Sequence, residues 1–132
     1  MNVVITLPHE LIELILSGRK RIEMRRSFPA DLRIGVDGFF VIEKGTSIVR
    51  CYCEVAALTL ANDPCFVIER FRKEIAVSAG YIMKYLTDRP AFLWHIGEVY
   101  KLASGISVKN DLEVSHNPQS YVYTQAIIDD WV

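Results

Sequence analysis

The opening twenty-six residues change hydrophobic period twice. Val3, Val4 and Ile5 begin an extended apolar run, which predicts a strand over 3–6. Leu11, Ile12, Ile15 and Leu16 then recur at helical spacing, with Pro8 in the first turn and Glu10 and Glu13 near the positive end of the dipole. That pattern predicts a helix over 8–17. Gly18 is its natural terminator, because the left-handed residue after a helix costs least as glycine. Beyond it the period becomes two: Ile22 and Met24 point one way, and Arg21, Glu23 and Arg25 point the other. A strand over 20–26 follows, with Lys20 in the turn at its head. A slip of one residue would bury three charges, so the register is strongly set.

The remaining pattern is mostly strands. After a loop with Pro29 and Gly35, strands are predicted over 37–43 and, past a Gly45 turn, over 47–58. In the second of these Val49, Cys51, Cys53 and Val55 alternate with Arg50, Tyr52 and Glu54, as in a half-buried strand. Pro64 opens a helix over 65–75 with Phe66, Ile68, Phe71 and Ile75 on its apolar side. Ser78 caps a second short helix that carries Tyr81, Ile82 and Tyr85 and ends near Leu86. Residues 91–99 read as a central strand. Gly105 precedes a short strand near 106–108, a further short strand is expected over 111–115, 121–123 closes the sheet, and 126–131 forms a last helical turn. No repeat, low-complexity stretch or linker interrupts residues 1–132, so they form a single domain. Strands interrupted by helical insertions suit an α+β fold, a small mixed β-barrel with a helix after the first strand and two helical insertions.

Composition narrows the class. A chain of 132 residues, 51% hydrophobic, buries a core without metal or disulfide support. It has neither an apolar run of membrane-spanning length nor the basic region and apolar run of a leader peptide. The expectation is a soluble, cytoplasmic protein with no membrane partner. The three cysteines fit that compartment, and without zinc-type spacing Cys51 and Cys53 read as core residues; no metal site is expected. A formal net charge of −1 argues against coating a nucleic-acid backbone by bulk electrostatics. The cations are focused instead: Arg19, Lys20, Arg21, Arg25 and Arg26 fall within eight residues beside one anion. No Gly-rich loop marks a dinucleotide or nucleoside triphosphate, and no cofactor is implied.

Within that cluster, Lys20 could hold a phosphate as a point charge or act as an amine. Arg25 presents a planar fork for phosphate or carboxylate, and Arg26 extends the cationic run. Glu23 could accept hydrogen bonds from the amino edge of a base, or hold the flanking arginines in place; a solvated edge strand with cross-strand ion pairs is the plain alternative. His9, His95 and His116 form no catalytic pair, and His95, between Trp94 and Ile96, is the one expected to be buried. Phe28, Tyr52, Tyr81, Tyr121 and Tyr123 are candidate base-stacking rings. The terminal Asp129-Asp130-Trp131 is either a partner-docking tip or a packed tryptophan.

Gly18, Lys20, Glu23 and Arg25, in the register G-x-K-x-x-E-x-R where helix gives way to strand, resemble the motif of the ASCH domain. This is a small β-barrel of the PUA-like superfamily associated with RNA. The resemblance is specific over 11–26 and coarse over most of the chain, with Pro118-Gln119-Ser120-Tyr121 similar to a late PUA-like segment beside the cleft. It implies binding of RNA or a nucleotide-like ligand by Gly18, Lys20, Glu23, Arg25, Arg26, Ser120 and Tyr121. Some ASCH proteins are amidohydrolases that deacetylate 4-acetylcytidine, which would give Lys20 and Glu23 catalytic roles. In those a threonine stands where Glu23 is, and a later glutamate, here Glu69 or Glu74, completes the set. Other ASCH proteins are reported as ribonucleases, for which no catalytic set maps onto this chain. A module that recruits a protein partner is the third reading.

Overall fold

In the computed structural model, residues 1–103, 106–107, 109–115 and 117–131 are described, with backbone alone for 130 and 131. Strand β1 (Asn2–Leu7) leads into helix α1 (His9–Leu16) and strand β2 (Ile22–Arg25), followed by β3 (Gly38–Glu43) and the long β4 (Val49–Ala61). Helices α2 (Pro64–Ile75) and α3 (Ala79–Leu86) form one excursion before β5 (Ala91–Lys101). The short β6 (Val122–Thr124) and a 3-10 turn (Ile128–Trp131) complete the order. The six strands form one sheet in the order β2-β5-β4-β3-β1-β6, parallel only between β1 and β3. The mixed α+β expectation is met, whereas strand pairing leaves β2 and β6 as free edges. The sheet is not closed into a barrel by backbone hydrogen bonds.

Both faces of the sheet are covered, which explains the unbroken apolar runs in β1 and β3. Val3, Ile5, Phe39, Val41, Cys51, Cys53 and Trp94 pack on one face under Ile12 and Ile15 of α1. Val4, Phe40, Ile42 and Tyr52 pack on the other under Leu102, Ile106, Leu112 and Val114. Beside them Ile22, Met24 and Leu93 meet Val67 and Ile75 of α2 and Ile82 and Leu86 of α3. Helix α3 starts where its expected cap puts it, with Ser78 accepting from the Tyr81 amide, and α2 opens at Pro64 with the Asp63 side chain, not foreseen as a cap, accepting from the Cys65 and Phe66 amides.

Several expectations need correction. The strand predicted over 20–26 is regular only from Ile22, because the Arg21 amide is taken by the Glu74 carbonyl at 2.7 Å. The strand near 106–108 is, among the described residues, a single bridge between Ile48 and Ser107, and 111–115 is a turn and bends. Tyr52 is buried rather than outward, because Leu102, Ile106, Leu112 and Val114 pack on its face and its hydroxyl donates to Asn2 Oδ1. Phe28 packs edge-on against Trp94, 5.4 Å between ring centres, and is no free platform. His95 is half-buried, whereas its neighbour Trp94 is fully buried. Gly105, His116 and the side chains of Asp130 and Trp131 lie outside the described residues.

Two measurements test this packing. A Cβ at Gly38 would stand 2.1 Å from the Cys53 carbonyl oxygen, so strand β3 must move off β4 to admit one. Gly38→Ala is expected to lower stability by about 3 kcal/mol or more in urea denaturation. Asp37 accepts from the Arg33 backbone and guanidinium and from the N-terminal ammonium. Burial pushes its pKa up, but those donors outweigh it and bring it down to about 2 from 3.8. A depressed carboxylate stabilises the fold above its unfolded pKa and ceases to as pH falls through the folded one. The loss from pH 4 to pH 2 should be on the order of 1 kcal/mol, because Arg33 is 68% exposed and screened by solvent. Asp37→Asn should remove that portion of the acid sensitivity.

Candidate functional site

Helix α1 ends in a hydrogen-bond pattern that aims the next residues. Gly18 takes φ 81°, its amide bonds the Ile15 carbonyl, and the amides of Arg19 and Lys20 both reach the Leu14 carbonyl. The chain therefore turns tightly and delivers the Lys20 side chain inward. Lys20 is 2% exposed, so the lysine expected in the turn at the head of the strand is turned into the protein. Its ammonium donates to the carbonyls of Ile22 at 2.8 Å and Ile75 at 2.9 Å and lies 3.3 Å from Glu23 Oε1. Ile75 is the last residue of α2, so its carbonyl lacks a helical partner and carries the negative end of the dipole. A buried cation is well matched there.

From Lys20 the charges continue in a line. Glu23 Oε2 accepts from Arg25 Nη1 at 3.0 Å, and Arg25 Nη2 donates to the Ser120 carbonyl, just before β6. Arg25 thus spans from one edge strand of the sheet to the segment leading to the other. The antiparallel pairing sets Glu23 opposite Trp94 and Arg25 opposite Phe92, on the face covered by α1, while Ile22 and Met24 pack under α2 and α3. The period-two reading of this stretch holds for 22–25. Arg21 departs from it, because it stands outside the strand and lines a separate hollow with Glu74 and His95.

The ion pairs border a cleft of about 460 Å³ between the start of α1, strand β2, helix α3 and the 119–120 segment. Lys20, Glu23, Arg25, Arg26 and Ser120 line it, together with Gln119. Gly18 lies in another hollow beside Glu54 and Glu98, and Tyr121 packs on the core edge-on to Tyr123. Arg26 borders the cleft, but its guanidinium donates to the carbonyls of Tyr85 and Arg89 and lies 3.8 Å over the Tyr85 ring. Its evident work is to fasten the end of α3. The sequence reading missed Tyr85 as a cleft residue, along with Gln119, Val77 and the apolar end formed by Leu7, Pro8 and Leu11. The four-residue spacing of Tyr81 and Tyr85 was the available signal, since it puts both on one helix face, and the rings stack at 5.8 Å. Glu69 and Glu74 line other hollows, so among the described residues Glu23 is the carboxylate that borders this one.

No family model and no curated protein sequence matches the chain. Solved structures do. The ASCH protein of Zymomonas mobilis superposes with a TM-score of 0.79 at 19% identity, over 94% of this chain and 87% of that one. Its tyrosine-to-phenylalanine variant gives 0.79 over 90% of its length, and its serine-to-alanine variant 0.78 over 88%, again at 19% identity. The chain has the ASCH-domain fold. Among the described residues of this ASCH fold, no helix is long and apolar enough to cross a membrane.

The burial of Lys20 yields a stability prediction. Lys20→Ala strands the Ile75 carbonyl and leaves Glu23 with one cationic partner, so it should cost about 3–5 kcal/mol in chemical denaturation. A cost below about 1 kcal/mol would mean that the ammonium is not buried among these acceptors.

Proposed function

We propose that the cleft binds one nucleoside or nucleotide unit, free or within an RNA chain. The observation that carries this reading is the joint placement of Arg25 and Tyr81 around one cavity of nucleoside size. Arg25 is held at the rim by Glu23 and Ser120, and the Tyr81 ring, 53% exposed, stands on α3. A fixed guanidinium suits a phosphate or an acyl oxygen, and an exposed ring suits the face of a base. The volume of about 460 Å³ falls in the usual range for small-ligand sites. The ASCH fold supports the reading through the association of such domains with RNA. Glu23, between two cations, is best suited to fix both of them and to accept from a donor edge.

The amidohydrolase alternative has less support. An ammonium has three hydrogens, and Lys20 faces three protein acceptors, Ile22 O, Ile75 O and Glu23 Oε1. In that arrangement it clamps β2 to α2 and offers no lone pair to a substrate. A second carboxylate is also wanting in the cleft among the described residues.

The test is equilibrium binding of cytidine 5′-monophosphate and of a fluorescein-labelled octaribonucleotide. Arg25→Ala should weaken binding roughly ten- to a hundredfold, the loss of one charge-assisted contact. Tyr81→Ala should weaken it by about a factor of ten with no change in melting temperature, because that ring is exposed. Failure of the wild-type protein to bind either probe, or unchanged affinity in both variants, would overturn the reading in favour of a protein-recruiting module.

A further inference from the structure

Lys20 and Arg21 are consecutive, yet they serve different hollows. The second hollow, of about 430 Å³, lies over the junction of β2, β5 and α2 and is lined by Arg21, Arg70, Phe71, Glu74 and His95. The cations nearest the cleft and the sheet ends are engaged: Lys20, Arg25, Arg33 and Arg50 form ion pairs, and Arg26 is fixed on backbone carbonyls. The arginines here are not. Among the described residues Arg21 makes one long hydrogen bond, 3.4 Å to the Ile96 carbonyl, and Arg70 makes no hydrogen bond or ion pair. Glu74 shares the hollow, Glu54 and Glu98 border Arg21 from the next hollow and Glu69 borders Arg70, yet none of these carboxylates forms an ion pair with either guanidinium, and both arginines line one concave space.

The imidazole that shares the hollow with them is oriented. His95 Nε2 lies 2.8 Å from Thr59 Oγ1 on the neighbouring strand, and the Phe71 ring stands edge-on to it at 5.5 Å. Burial lowers the His95 pKa, against a smaller opposing effect of Glu74, so the ring is neutral near pH 7. In the tautomer whose Nε2 accepts the Thr59 hydroxyl proton, the neutral ring carries its own proton on Nδ1 and offers one N–H donor.

We propose that this hollow is a second anion site, built for a phosphate group and read by Arg21, Arg70 and His95. Two planar guanidinium forks and an N–H donor match a group with several acceptor oxygens and more than one negative charge. A simple carboxylate would leave one fork unused. The phosphate could belong to a free nucleotide or to an RNA backbone. The site does not rest on the reading of the cleft, since none of its charged residues borders that cavity.

The experiment follows the His95 ring resonances by NMR, assigned by their loss in His95→Gln, while the wild-type protein is titrated at constant ionic strength. The probes are inorganic phosphate, adenosine 5′-monophosphate, an octaribonucleotide without terminal phosphates, and acetate. Saturable shifts are expected with at least one phosphate-bearing probe, and acetate should bind at least about tenfold more weakly. Arg70→Ala, exposed and unpaired, should reduce phosphate affinity about tenfold or more without altering the melting temperature. Arg25→Ala, which affects only the cleft, should leave these shifts unchanged even if cleft binding is lost. Tighter binding of the monophosphate points to free nucleotides, and tighter binding of the octamer points to RNA; either order supports the site. The proposal is overturned if none of the phosphate probes gives a saturable shift, if acetate binds as well as phosphate, or if Arg70→Ala binds like wild type.

Discussion

One buried ammonium organises this molecule around its cleft. Lys20 is 2% exposed, so its charge must be met from within, and two parts of the chain meet it: β2, through the Ile22 carbonyl and the Glu23 carboxylate, and the end of α2. Taking a lysine out of water is costly and is offset only when every hydrogen finds an acceptor. That requirement fixes β2 against α2. It also fixes Glu23, which fixes Arg25, which holds the Ser120 carbonyl on the far side of the cleft. The line from helix end to the start of β6 is one connected polar network, and such networks are sensitive to the loss of any member.

The two hollows of opposite character follow from this line. On the cleft side Lys20 and Arg25 share the one carboxylate of Glu23 and Arg26 is fixed on backbone carbonyls, so a ligand there meets a rigid surface with its cations already engaged. On the far side Arg21 and Arg70 form no ion pair with the carboxylates around them, so their guanidiniums remain available on a chain whose formal net charge is −1. A near-neutral protein thus presents anion chemistry at chosen places instead of over its whole surface.

Local patterns were legible wherever the physics is local. The hydrophobic period located α1 and β2, Gly18 took its left-handed conformation, Pro64 opened α2, and Ser78 capped α3. The alternation of Ile22 and Met24 with Glu23 and Arg25 sorted those side chains correctly. What stayed hidden depends on segments distant in sequence. Tyr52 alternates like an exposed residue, yet Leu102, Ile106, Leu112 and Val114 pack over it. Lys20 reads as a surface lysine until the end of α2, more than fifty residues later, arrives above it. Arg21 fits the alternation, but the Glu74 carbonyl captures its amide and starts the strand one residue later. The open edges of the sheet were illegible for the same reason, because closure depends on whether β2 and β6 meet through their backbones.

Those edges are joined instead by a side chain. A guanidinium bridging from β2 to the Ser120 carbonyl is a replaceable stitch, since water or any better acceptor can take the same nitrogen. A ligand oxygen that does so frees the Ser120 carbonyl and loosens its segment there, while Thr6 still donates to the Pro118 carbonyl and Asn117 to the Thr46 carbonyl. Ligand capture and local ordering of that segment are therefore two sides of one exchange, and thermodynamic reciprocity makes each oppose the other by the same free energy. Whatever rigidifies the loop before β6 should make the cleft harder to enter, and an occupant that claims Arg25 should leave that loop looser than it found it.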